Sequence, residues 1–162
     1  MKAYEVAALV AIAVLIILFF HIATAKGDKR RIALINSEGE RLYIDAEIAE
    51  EGAMMAKGLM GRKSLGEDEG MLFAFPRSGI YPFWMLNTTI PLDAIHIAEN
   101  GTVVDILEME PCGLNVTKCR LYTPKAPAKY VLEVNKGYSE RHGIKKGKSS
   151  LDLSSLAIAK TK

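Results

Sequence analysis

The chain has 162 residues, 49% of them hydrophobic and 25% charged, and a net charge of +2. That length holds one ordinary domain and little more. Its charge balance gives no electrostatic case for a nucleic-acid partner, and its composition excludes a low-complexity chain.

Residues 6–20 are unbroken apolar sequence, and only His21 interrupts the continuation to Ala25. A helix over residues 6–25 would be about 30 Å long, the thickness of a bilayer core, and no polar stripe marks a solvent face on it. The segment is either a retained transmembrane anchor, with the membrane as its partner, or a signal peptide. In the second case Ala23, Thr24 and Ala25 form the small-residue site and the chain is released after Ala25. Lys26, Lys29, Arg30 and Arg31 follow the segment, and only Lys2 precedes it. By the positive-inside rule this would keep the domain in the cytoplasm. Residues 26–31 read as a charged linker, and residues 32–158 as a single β-rich domain.

The spacing predicts strands at 31–35 and 41–48 around a turn at Asn36 and Gly39. Leu42, Ile44, Ala46 and Ile48 alternate with polar side chains, so one face of the second strand is apolar. The period then changes. Glu50 and Glu51 suit a helix start, Met55 and Leu59 lie four apart, and Gly58 and Gly61 end the helix. Strands are expected at 71–75, closed by Pro76, at 80–86, and from Pro91. Residues 92–98 and 102–109 flank Glu99, Asn100 and Gly101, and an Asn-Gly step between apolar runs is a strong hairpin signal. Residues 111–127 form a long loop. A strand at 130–134, a helical turn at 139–142 stopped by Gly143, and a strand at 149–158 complete the pattern. Strands outnumber helices, which predicts a mainly β, compact antiparallel sandwich or barrel with two short helices, preceded by the N-terminal transmembrane or signal helix.

Cys112 and Cys119 are the only cysteines. Two thiols cannot complete a structural zinc site, so a disulfide is expected, and with it an extracytoplasmic domain. This opposes the charge argument. Three Asn-x-Thr triplets, at Asn87, Asn100 and Asn115, fit a secreted context. No metal or cofactor is predicted, because His96 and His142 have no partner at ligand spacing.

The landmarks in order are 58–62 (Gly-Leu-Met-Gly-Arg), 70–73 (Gly-Met-Leu-Phe), 83–85 (Phe-Trp-Met) with Asn87 and Thr88, 91–93 (Pro-Leu-Asp) and 130–135 (Tyr-Val-Leu-Glu-Val-Asn). On these the chain resembles the prokaryotic domain of unknown function 192 family, also called uncharacterised protein family 0127, over about residues 44–147. Leu86 departs from the lysine that the family carries between Met and Asn. The resemblance implies a compact antiparallel β-sandwich, often behind a signal peptide or anchor, and implies no activity.

Arg62, Trp84, Asn87, Thr88 and Asp93 are the candidate ligand-binding residues. Trp84 either packs in the core or lines a groove where its ring stacks on a ligand. Asn87 and Thr88 follow it with hydrogen-bonding groups, or only brace a turn. Asp93 shares a strand face with Ile95 and Ile97, and a carboxylate there must find a partner; Arg62 is the expected one, as a bidentate pair. Glu133 between Leu132 and Val134 raises the same question. The expected function is non-catalytic binding of a small polar or carbohydrate-like ligand by a membrane-tethered or secreted domain. The alternatives are a hydrolase using Asp93 with Glu108 or Glu133, and an envelope module that binds protein through a strand edge.

Overall fold

A computed structural model describes residues 29–157. The expected membrane or signal helix, residues 26–28 of the linker, and the end of the chain lie outside the described residues. Among the described residues no helix is long and apolar enough to cross a membrane.

The strands are β1 (Lys29–Ile35), β2 (Arg41–Ala49), β3 (Glu69–Gly79), β4 (Leu92–Ile97), β5 (Val103–Met109), β6 (Ala128–Asn135) and β7 (Ser150–Leu151). The helices are α1 (Gly52–Lys57), α2 (Tyr138–Arg141) and α3 (Ser154–Ala157), with a 3-10 turn at Val116–Lys118. β1 therefore takes up residues 29–31, which the sequence reading gave to a linker. All seven strands form one sheet in the order β5-β4-β6-β3-β2-β1-β7.

The sheet curls into a half-barrel, and its outermost strands meet at one end. Thr102 and Ser150 form a bridge, the Leu151 amide donates to the Gly101 carbonyl at 2.8 Å, and the Val103 amide to the Ser149 carbonyl at 2.9 Å. A side chain at Gly101 would strike the Leu151 carbonyl at 2.6 Å, and its φ of +89° suits only glycine. The inner face carries Leu34, Ile44, Leu72, Ile95, Leu132 and Leu151, one cluster drawn from strands across the sheet. α2 packs beside β4 and α3 beside β1.

The fold is a single curled sheet rather than an antiparallel sandwich, and β2 and β3 pair in parallel. A parallel pair needs a crossover. Residues 50–68, including α1, make that crossover and run over the outer face. There Leu59 and Leu65 pack on Met71, Phe73, Ala94 and Val131. The middle strands are thus buried on both faces, which is why every residue of β4 is buried.

One expected strand is absent and another is cut short. Residues 80–86 make only the isolated bridge of Phe83 with Tyr122, since Pro82 has no amide to offer a ladder. Residues 149–158 end as a strand at Leu151. The Asp152 carboxylate accepts from the Ser154 amide at 3.0 Å and from its hydroxyl at 2.6 Å, which turns the chain into α3. β3, in contrast, continues past Pro76, which falls where its register with β6 shifts, between Ala74 and Gly79.

Candidate functional site

The site is built on the outer face, under the crossover. Strand register sets Glu47, Met71, Glu133 and Ala94 in one row across β2, β3, β6 and β4. Glu133 is 4% exposed. Its carboxyl makes no hydrogen bond or ion pair among the described residues, and burial alone pushes it up from 4.5 to about 8.

Above it passes the loop after α1. Gly58 has a φ of +50°, and a methyl group placed there would come within 3.3 Å of Phe73 Cζ and 4.0 Å of Glu133 Oε2. Glycine thus leaves the space over the carboxyl open. The Phe73 and Phe83 rings meet edge to face at 5.1 Å. Together with Met55, Met60, Trp84, Thr88 and Glu133, these residues line a cavity of about 40 Å³. Trp84 is 40% exposed. It is a surface residue beside the cavity, and the core position falls to Phe83 and Met85.

The walls are tied by backbone contacts. The Gly61 amide donates to the Asn87 carbonyl at 2.7 Å, and the Asn87 amide donates to the Gly113 carbonyl at 2.8 Å. Asn87 has a φ of +52°, the one left-handed conformation outside glycine among the described residues. The Thr88 hydroxyl donates to the Leu86 carbonyl at 3.3 Å, and the Thr89 hydroxyl to the Arg62 carbonyl at 3.0 Å. Gly113 lies next to Cys112, which forms the expected disulfide with Cys119.

Of the residues singled out from sequence, Trp84 and Thr88 reach the cavity wall. Asn87 supports it through its backbone. Arg62 stands behind the loop and pairs with Glu47 at 2.6 Å, not with Asp93. Asp93 does share a face with Ile95 and Ile97, but that is the inner face, where it is 1% exposed. Its oxygens accept from the Gly137 amide at 3.1 Å and the Ser139 amide at 2.9 Å, holding the start of α2. The expected Arg62–Asp93 pair is replaced by these amides, which satisfy the carboxylate on the far side of the sheet.

The carboxylate pairs proposed for hydrolysis are not built. Asp93 lies opposite Val134 in the ladder, so it and Glu133 point to opposite faces. Glu108 is opposite Asp93 and on its face, but its side chain is exposed and pairs with Lys136 at 3.2 Å. Among the described residues no group of three or more His, Cys, Asp or Glu converges to hold a metal ion.

Sequence reasoning ranked Glu133 below Asp93 and placed neither Gly58 nor Phe73 among the ligand-binding residues. The available signal was a glutamate inside the apolar run 130–135, the same signal that drew attention to Asp93. A wider groove of about 380 Å³ opens beside Arg30, Ile48, Phe75, Tyr130 and Leu156. The charges at its rim are paired, Lys129 with Glu99 and Arg30 with Glu50. The Glu133 cavity differs because its carboxyl has no partner among the described residues.

Residues 33–150 match the family model DUF192, described as "Uncharacterized ACR". A crystal structure of a protein from Sinorhizobium meliloti 1021, described there as a candidate transcription regulator, is 31% identical, with a TM-score of 0.71 over 79% of this chain and 95% of that one. A crystal structure of a protein of unknown function from Novosphingobium aromaticivorans is 30% identical, with a TM-score of 0.69 over 80% of this chain and 88% of that one. No curated protein matches the chain.

Proposed function

The chain belongs to the DUF192 family, and from that premise we propose that its domain is a non-catalytic binding module for a small polar ligand, held at the Glu133 cavity. The observation that carries this reading is a carboxyl 4% exposed, unpartnered among the described residues, and facing a cavity. Buried polar groups are ordinarily satisfied from within the chain, and leaving one bare costs about 1–3 kcal/mol. A ligand group would supply the missing partner. The exposed Trp84 ring offers a face on which the rest of the ligand, carbohydrate-like or otherwise flat and polar, would stack.

The domain in this reading works outside the cytoplasm, tethered through residues 6–25 or released after Ala25. The Cys112–Cys119 disulfide supports that location, because such bonds persist in oxidising compartments.

Thermal-shift screening of the full chain against small polar compounds tests the binding role. A ligand should raise the melting temperature of the native chain, and Glu133→Gln or Trp84→Ala should abolish the rise while each variant still melts cooperatively. Hits whose effect survives both substitutions would place binding elsewhere and remove this site.

A further inference from the structure

We propose that the group admitted to the Glu133 cavity is a cation, a primary or N-methylated ammonium head, with the remainder of its molecule outside against Trp84. The inference rests on the binding role above and names its ligand class.

Size comes first. A cavity of about 40 Å³ is a few times the roughly 10–15 Å³ that one water needs on that measure. It takes a head group of a few heavy atoms and not a sugar ring. Wall chemistry comes second. Phe73, Phe83 and Trp84, with the thioethers of Met55 and Met60, surround the space, and aromatic faces attract ammonium groups, Trp most strongly. Hydrogen-bonding capacity comes third. Apart from Glu133, the side-chain polar group at the buried wall is the Thr88 hydroxyl, whose proton goes to the Leu86 carbonyl. A polyol inserted here would leave most of its hydroxyls without partners, a strong penalty. An ammonium brings only donors and meets an acceptor.

The charges around Glu133 do not preempt that role. Glu47, one strand beyond Met71 on β2, is already paired with Arg62. On β4 the facing residue is Ala94, and His96, next on that face, is fully buried and stays neutral at physiological pH. On the crossover Lys57 lines the cavity and is exposed to solvent.

Proton linkage follows from this arrangement. Glu133 holds its proton up to about pH 8, and a cation beside it favours the carboxylate. Binding at pH 7 therefore releases roughly one proton, and affinity rises with pH.

The experiment is isothermal titration calorimetry of the full chain in detergent, with n-propylammonium, n-propanol and methyl glucoside as probes. Propylammonium should bind with an affinity about thirtyfold higher at pH 9 than at pH 6.5. Repeating the pH 7 titration in buffers of different ionisation enthalpy should show the released proton. Glu133→Gln should lose both the binding and its pH dependence, and the pH series on the unaltered chain carries the test even if that variant fails to fold. If propanol or methyl glucoside binds as well as propylammonium, or the ammonium affinity is flat with pH, the cationic class is wrong while the cavity keeps its binding role. If none of the three binds at any pH, the cationic proposal falls together with the small-ligand reading.

Discussion

Glu133 and Asp93 are the same kind of residue in the same kind of strand, and their fates differ because of what reaches them. Asp93 receives two backbone amides from residues 44 and 46 positions further along the chain. Glu133 receives none among the described residues. No local pattern records an amide arriving from so far away, so the sequence could mark both carboxylates as needing partners but could not say which one lacks them. Asp93→Asn removes the charge from a site with two charge-assisted acceptors. It should cost about 1–3 kcal/mol of stability, read from urea denaturation, and leave ligand binding at Glu133 unchanged. Loss of binding with stability intact would return Asp93 to the site. Arg62 was legible as a residue that seeks a carboxylate, and only its partner was misassigned.

At the scale of elements, hairpins were legible and crossovers were not. The turn at Asn36–Gly39 and the Asn100–Gly101 turn join antiparallel strands as their residue types require. The parallel β2–β3 pair leaves no comparable mark, yet it is what carries Gly58 over Glu133. Residues 80–86 have the apolar and aromatic content of a strand. They serve instead as a cap, because the outer face of the sheet needs covering and Pro82 breaks the ladder. The disulfide loop enters the site through this cap. Gly113, beside Cys112, accepts from the Asn87 amide, and Asn87 in turn accepts from the Gly61 amide. Reduction should lower stability by about 2 kcal/mol, as expected for opening so short a loop. Amide hydrogen exchange at Gly61 and Asn87 should speed up in the reduced protein. Unchanged exchange at both would show that the loop does not brace the cavity.

For the whole molecule, two buried groups pull stability in opposite directions with pH. Glu133 keeps its proton in the folded state up to about pH 8 against an ordinary value of 4.5, so the unfolded chain binds fewer protons and stability falls as pH rises through that window. His96 is pushed down from 6.5 to about 4 by burial, against the opposing pull of Asp105. There the unfolded chain binds more protons, so stability falls as pH drops from 6.5 to 4. Between about 4.5 and 6.5 the two slopes cancel, giving a plateau. From pH 6.5 to 8 a net loss on the order of 1 kcal/mol should follow. Urea midpoints across pH 4 to 9 check this, and Glu133→Gln should flatten the alkaline limb and turn the plateau between about pH 4.5 and 6.5 into a rise with pH, the His96 slope standing alone.

The mainly β character of this half-barrel came from strand periodicity. Its closure did not, because the seam depends on Gly101 meeting Leu151 across 50 residues, a contact with no local signature.

Trp84 is the single tryptophan of the chain, and it stands at the rim of the Glu133 cavity, partly in water. Its intrinsic emission therefore comes from one place. A molecule settling on that rim would displace water from the indole and shift the spectrum toward the blue, while unfolding would shift it toward the red. The native protein thus carries a label-free optical reporter at the spot where occupancy matters, and no dye or engineered probe has to be introduced to watch it.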